Sequence, residues 1–429
     1  MMRKNVCMFV WNHFTNDARV LRECTALSKN GYSVDLICIH DPKNSDLKQY
    51  EEVNEHFHVH RVKRYPSSLL FMKKAYRALL RYKVLALIAF FTVVRSSVRS
   101  SLRSPSCYNC RHALLLKTKL QVVWVRGSII LRMILKGRKK KYDIYHSNDL
   151  NTLPQGFICS KLRFKRKCLV YDSHEVQTSR TGYDSGVYAK MEAFFINKID
   201  SMIVENHTRA KYNEDLYGFY PNVVYNYPFQ PKKRHQETIN LHERLGLPEN
   251  EKILLYQGGI QTGRGLEKLV QAAPLFKEGT LVFIGDGRIK PELERMVAEM
   301  KLEDKVKFIP KVPLQDLPKY TKNAYLGFQV LNNVCFNHYS ASSNKLFEYI
   351  MSDVPVVACD FPEIKKVVAG EHIGLCVDSH DYEEIASAVN QLLRDPVLRA
   401  TMSNNCKTAK FKYNWENEQL QFLKVYQAI

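Results

Sequence analysis

The sequence predicts an α/β protein built from two doubly wound domains, each a parallel sheet with helices on both faces. Three observations carry this. Short apolar runs alternate with helical patterns, and that alternation runs twice along the 429 residues. A stretch rich in Pro, Tyr and Asn and without periodicity, residues 222–233, separates the two series and reads as an interdomain linker. Polar residues gather just past the ends of the apolar runs, at the sheet edge where open parallel sheets bind ligands.

The elements follow in order. Residues 5–10 read as a first strand, and the loop WNHFTNDAR follows. A helix over 18–29 places Val20, Leu21, Cys24 and Leu27 on one face, Gly31 stops it, and SVDLICIH is the next strand. Residues 142–146 form a strand that leads into HSNDLNTLPQG and a helix. Strands at 168–171, ending in DSHE, and at 201–204 complete the first series. Asn12, His146, Asp149, Asp172, His174 and Glu175 therefore all lie at or just beyond strand ends. The plainer account of Asp149, and of Ser173 beside these residues, is helix N-capping; the convergence on one edge favours a ligand site.

After the linker come LLYQGG, a helix over 266–273, the strand TLVFIGDG, a helix over 291–300, the strand KVKFIP and a short helix over 314–320. AYLGFQVL, a helix over 344–351, VPVVACD and a helix over 382–393 finish the second series. Residues 407–429 read as a last helix, with Trp415, Leu420, Leu423 and Val425 apolar. The expected domains are 1–225, 234–406 and a terminal helix over 407–429.

Charge is the most uneven property of the chain. Lys and Arg number 64 against 43 Asp and Glu, a net charge of +21. Residues 61–141 hold 21 of those cations and no acid, so the rest of the chain is neutral. This excludes a uniformly basic protein and points to a globular enzyme or binder with one basic, partly apolar module. The hydrophobic fraction of 45% and charged fraction of 25% are those of a soluble globular protein. The 11 cysteines are scattered through apolar runs and read as buried thiols in a reducing compartment. Cys107-x-x-Cys110 with His112 lacks the second ligand pair a structural zinc needs, so no metal is expected. The start of the chain has no signal-peptide pattern, and the longest uncharged apolar run, residues 84–94, is too short for a bilayer-spanning helix of about 20 residues. A cytoplasmic protein, peripheral on a membrane, is expected.

Two motifs carry chemistry. In SASSNKLFEY, Ser342 or Ser343 suits an N-cap, and the helix start aims free amides and a partial positive charge outward, a place for phosphate. Asn344, Lys345 and Glu348 share one helix face. A lysine at a helix start opposes the dipole, which points to a nearby anion, although a solvated side chain is the simpler account. Glu348 stands among apolar neighbours and needs a partner, such as a ligand hydroxyl. In GGIQTGRGLEKL, Gly258 and Gly259 follow a strand and allow close backbone approach, and Arg264 is placed to grip phosphate with two donors. No P-loop pattern is present, and no D-x-D pair of the kind that holds a metal on a diphosphate.

Taken with DARVLRECTALSKNGYSV, YDIYHSNDLNTLP, LVYDSHE, LLYQGGIQTGRGLEKLVQAA, LVFIGDG, SNKLFEYIMSDVPVVACDFPE and GLCVD, the sequence resembles the retaining glycosyltransferases of family 4. The resemblance implies the GT-B fold, two Rossmann-like domains facing a central cleft, with the acceptor on the first domain and a nucleotide-sugar donor on the second. It implies that Glu348 binds the ribose hydroxyls, that Arg264 binds the donor diphosphate, and that His174 contacts the donor sugar near the reacting carbon. Gly259, Ser343, Asn344 and Lys345 complete the donor site, and His174 and Arg264 are the expected catalytic pair. The chemistry implied is retaining and metal-independent, with no cofactor beyond the UDP- or GDP-sugar substrate. Two positions depart from the family pattern. Ser340 stands where many members carry a glutamate eight residues before the ribose glutamate. Gly259 stands where many carry an arginine directly after the strand-end glycine.

The basic segment alternates cations with long aliphatic runs, which suits an interfacial helix near an anionic leaflet. The expected acceptor is a lipid-linked or membrane-presented glycan in cell-envelope polysaccharide or glycolipid assembly. Ordinary core helices with a solvated cationic face are the plainer alternative. A nucleic-acid binder using this segment, with Tyr76, Tyr82 and Trp124, is disfavoured because aliphatic runs replace a polar groove, and no nucleic-acid partner is expected. A GT-B nucleotide-sugar epimerase is the other rival, and it needs no membrane module.

Overall fold

The computed structural model describes residues 3–44, 46–65, 124–179, 186–231 and 238–429. The chain divides into two compact units, Met1–Thr15 with Leu27–Leu169, and Asn16–Ala26 with Val170–Ile429. Residues 66–123, which hold most of the basic segment with Cys107, Cys110, His112, Tyr76 and Tyr82, lie outside the described residues.

The first unit holds the strands β1 (Lys4–Phe9), β2 (Tyr32–Ile39), β3 (Tyr50–Asn54), β4 (Phe57–Val62) and β5 (Ile144–Asn148), in the order β3-β4-β2-β1-β5. All pairings are parallel except β3 with β4. β2 and β5 are almost wholly buried, and so is β1 after its first two residues, as strands covered on both faces must be. The expectation passed over the β3–β4 hairpin. β3 reads YEEVN and is exposed along four of its five residues, so it carries no apolar signal and sits on a sheet edge. A helix over 124–137 and the helix Leu153–Ser160 follow.

In the second unit, β6 (Cys168–Ser173), β7 (Ser201–Val204) and β8 (Asn222–Val223) run parallel in sequence. β8 corrects the linker expectation: its two residues extend the sheet, and the irregular stretch starts after Val223. Residues 232 and 233 of that stretch lie outside the described residues. A second, six-stranded parallel sheet contains β9 (Ile253–Gln257), β10 (Thr280–Ile284), β11 (Val306–Ile309), β12 (Ala324–Gln329), β13 (Val356–Cys359) and β14 (Gly374–Val377). Its order is β11-β10-β9-β12-β13-β14, all parallel, with the direction of winding reversing between β9 and β12.

That sheet explains its own sequence pattern. Leu254 and Tyr256 of β9 face one core, with Leu266, Leu269, Leu293 and Val389 from the helices. Ile253 and Leu255 face the other, with Leu346, Phe347, Ile350 and Ile364. Alternate residues of one strand enter opposite cores, so the strands read as unbroken apolar runs. Residues 407–429 are not one helix. Pro396–Ala409 ends, a turn intervenes, and Asn414 caps Trp415–Gln427 by accepting from the Asn417 amide at 2.9 Å. The backbone amide of Trp415 donates to the Pro228 carbonyl at 2.8 Å, and the Tyr225 amide donates to Glu418 at 2.9 Å.

Candidate active site

The winding reverses between β9 and β12, and the edge past such strand ends is where doubly wound sheets take their ligands. β9 delivers Gln257, Gly258 and Gly259 to this edge, and the helix Asn344–Met351 starts beside it. Gly258 has φ +125°, and a Cβ there would lie 3.2 Å from Cδ of Lys345. The lysine stem therefore passes over bare backbone. Its Nζ lies 5.0 Å from the centre of the Tyr256 ring.

Lys345 is the most informative residue of the site. It is only 6% exposed, which contradicts the solvated-lysine alternative. Burial, and after it the charge of Arg264, pushes its pKa down to about 7, with Glu348 pulling the other way. Among the described residues neither Lys345 nor Arg264 makes an ion pair. Arg264, partly buried, lies against the Tyr256 hydroxyl, which donates to the Gly259 carbonyl at 2.8 Å. Two cations converge with no carboxylate between them, an arrangement that an anion completes.

Glu348 is partly buried, and burial raises its pKa. Its partner within the fold is Gln257, whose Nε2 donates at 2.8 Å, while Gln257 Oε1 accepts from Thr321 Oγ1 at 2.7 Å. Gln257 carries no sequence signal; it is an ordinary strand-end residue until the fold brings it under Glu348. Ser343 is the N-cap by position, with φ −76° and ψ 126°, but its side chain makes no capping bond. Asn344 is exposed and accepts from Asn226 Nδ2 at 2.9 Å. A Cβ on Gly259 would meet only Gln261, at 3.6 Å, so this position is open.

His174 belongs to a second cluster. Its Nε2 lies 3.2 Å from Asp172, which Arg19 holds with two bonds of 2.9 and 2.8 Å. Arg19 also pairs with Glu23 at 3.0 Å, and burial, then Asp172, raises the pKa of Glu23. Of the two accounts of the strand-end residues, capping fails for Asp149, since Thr152 is the N-cap of Leu153–Ser160.

Sequence reasoning missed the group that ties the His174 backbone to the Asn337–Ser340 segment. Arg209, 4% exposed, donates to the His174 carbonyl at 2.5 Å, to Glu205 at 2.5 Å, to Ser340 Oγ at 3.2 Å and to the Asn337 carbonyl at 3.3 Å. Asn337 pairs with the Val176 backbone at 2.7 and 3.0 Å, and Asn206 donates to the Ser340 carbonyl at 2.8 Å. Ser340 is thus fully buried and turned towards protein.

The sequence model of the family described as glycosyl transferases group 1 matches residues 237–409, the part of the chain that holds the Lys345, Arg264 and Glu348 site. This stretch of the chain is similar to that family. Among curated relatives, an uncharacterised glycosyltransferase of Methanocaldococcus jannaschii is 26% identical over 304 residues, covering 67% of this chain and 75% of its own. A D-inositol 3-phosphate glycosyltransferase of Acidothermus cellulolyticus is 27% identical over 255 residues, and the match spans about half of each chain. Sucrose-phosphate synthase from Thermosynechococcus elongatus superposes with a TM-score of 0.71 at 17% identity, covering 99% of both chains. HepE of Anabaena, solved with UDP-glucose, gives a TM-score of 0.68 at 15% identity, covering 99% of this chain and 100% of its own. This glycosyltransferase therefore has the GT-B fold, with two Rossmann-like parallel sheets, as the sequence predicts.

Proposed function

We propose that this glycosyltransferase moves a sugar from a nucleoside-diphosphate sugar, with retention of anomeric configuration, to a lipid-linked or membrane-presented glycan acceptor. The observation that carries the donor half is the buried Lys345 beside the partly buried Arg264 and Glu348, neither cation making an ion pair among the described residues. HepE, a neighbour in fold, is solved with UDP-glucose, which agrees with a donor of this class.

In this reading residues 234–406 bind the donor, residues 1–225 receive the acceptor, and the helix in 407–429 returns to the first domain. Arg264, Lys345 and the amides at Ser343–Lys345 hold the diphosphate. Glu348 takes the ribose hydroxyls, and Gly259 lets the backbone approach the phosphates. As the bond from the anomeric carbon to phosphate breaks, negative charge grows on the leaving diphosphate, where Arg264 and Lys345 stabilise it. The acceptor oxygen attacks from the same face and its proton passes to the departing phosphate oxygen. His174, oriented by Asp172, contacts the sugar at the reacting carbon. No metal enters this scheme, because the two side-chain cations neutralise the leaving group.

The basic segment 61–141 is read as a dock on the inner, anionic leaflet, which makes the enzyme cytoplasmic and peripheral, in envelope polysaccharide or glycolipid assembly. Among the described residues no helix is long and apolar enough to cross a membrane. A thermal-shift panel of UDP, GDP and their sugars, with and without EDTA, tests the donor site. Stabilisation by one nucleotide series, unaffected by EDTA and lost in Glu348→Ala, is expected. A Glu348→Ala variant that responds like the parent overturns the assignment.

A further inference from the structure

The loop after the helix Leu153–Ser160 reads KLRFKRK over residues 161–167 and was not part of the basic segment. It holds five cations, and no acid occurs anywhere between Asp149 and Asp172. Phe164 is fully exposed and Leu162 more than half exposed, although both are large apolar side chains. The loop is nevertheless fixed at its base. Lys161 Nζ donates to the Lys167 carbonyl at 3.1 Å, Lys167 pairs with Asp143 at 3.2 Å, and the Arg163 guanidinium lies 5.6 Å from the Tyr145 ring centre. Arg138 donates at 2.8 Å to the carbonyls of both Ile158 and Leu162, which ties the loop to the end of the helix over 124–137. That helix buries Ile129, Met133 and Ile134 and leaves Trp124, Leu131 and Leu135 more than half exposed at helical spacing. Lys139, Lys141, Lys165 and Arg166 are exposed around these apolar groups.

A rigid loop that presents a phenylalanine and a leucine outward, ringed by cations, forgoes the burial that normally stabilises such side chains. We propose that residues 161–167 are an insertion loop for an anionic lipid bilayer: Phe164 and Leu162 enter the headgroup–acyl boundary while the surrounding cations meet lipid phosphates. Charge complementarity selects this occupant. The apolar tip of Phe164 and Leu162 suits hydrocarbon better than a nucleic acid backbone. The inference rests on the membrane reading above and places an anchor outside residues 61–141.

The test is co-sedimentation of the full chain with phosphatidylglycerol–phosphatidylcholine vesicles and with pure phosphatidylcholine vesicles. Phe164→Asp is expected to weaken partition to anionic vesicles by at least 10-fold. Lys165→Gln with Arg166→Gln is expected to weaken it roughly 30-fold, from about 1 kcal/mol per cation. Neither change touches the nucleotide response in the thermal-shift panel, which also reports that the variants fold. A parent chain that ignores anionic vesicles removes the membrane reading and this inference together. Binding by Phe164→Asp equal to the parent, or equal parent binding to neutral vesicles, overturns the loop assignment alone. So does displacement of vesicles by a single-stranded oligonucleotide, or a self-association that Phe164→Asp abolishes.

Discussion

Replacing Lys345 with methionine separates what this lysine does for the ligand from what it costs the fold. Its pKa is pushed down to about 7, mainly by burial and then by Arg264. At pH 8 only about 10% of the free protein carries the ammonium form. A nucleoside diphosphate, fully ionised at that pH, brings its charges against the group and restores the proton. Binding should therefore take up about 0.9 proton per nucleotide at pH 8, and its dissociation constant should rise about fivefold from pH 7 to 8 and about ninefold from pH 8 to 9. Isothermal calorimetry at pH 8 in buffers of different ionisation enthalpy reads the proton count directly. His338 is the neighbouring imidazole, and burial lowers its pKa; any contribution from it survives in Lys345→Met, so the variant assigns the proton. The stability sign runs the other way from an ordinary lysine ion pair. A lysine with a depressed folded-state pKa lowers stability fully below about 7, and the deficit fades as pH rises towards about 10.5. At pH 7 the deficit is about 4 kcal/mol, so Lys345→Met should unfold at a higher temperature than the parent while binding nucleotide more weakly. Proton uptake near zero in the parent, or a methionine variant less stable than the parent, refutes the argument.

Three further outcomes follow from the same geometry. Glu348→Ala leaves Gln257 Nε2 without its acceptor at 2.8 Å and should cost about 1–3 kcal/mol by urea denaturation, besides the loss of nucleotide response already described. Gly285 has φ +154° and a Cβ there would stand 1.9 Å from the Gly258 carbonyl oxygen; Gly285→Ala should destabilise by more than about 3 kcal/mol, and a loss below about 1 kcal/mol would show that the β9 loop yields easily. Arg209→Met strips Glu205 of its buried cation and should cost about 3–5 kcal/mol, with Arg209→Lys recovering part of it; an unchanged denaturation midpoint would mean that the four contacts of Arg209 carry no net stability.

Local pattern explains which parts of this fold were legible. Ala18–Lys29, Ser201–Val204 and Asn344–Met351 have the predicted bounds, because each has a clear period and a sharp stop or cap. The helices Gly186–Ile196 and His207–Tyr217 were missed. The first buries only Glu192 and Ile196, and the second Arg209, Ala210 and Asn213, so neither writes an apolar stripe. The donor motif was legible as a set of residues but not as an environment. Nothing local says that Lys345 is buried; that follows from Gly258, 87 positions earlier, having no side chain. The link from Arg209 to Ser340 spans 131 residues and involves groups that are individually common. Only the fold makes them neighbours.

The two clusters of the candidate site differ in charge balance, and the difference assigns them different work. Around Asp172, cations and carboxylates answer each other: Arg19 meets Asp172 and Glu23, and His174 meets Asp172. Arg209 meets Glu205 in the same way. Such sets pair each carboxylate with a basic side chain, so they fix side chains in place. Around Gly258 the balance is absent. Arg264 depresses the pKa of Lys345 instead of being answered by a carboxylate, and Glu348 is turned to Gln257. In the proposed donor site a bound anionic ligand would remove that repulsion, while the second cluster holds His174 through Asp172 and Arg209. A change in the first cluster should therefore alter nucleotide affinity and its pH dependence. A change in the second should alter stability and the placement of His174, with nucleotide affinity nearly constant. Asp172→Asn tests the division: a nucleotide affinity that falls as far as in Lys345→Met would merge the two clusters into one.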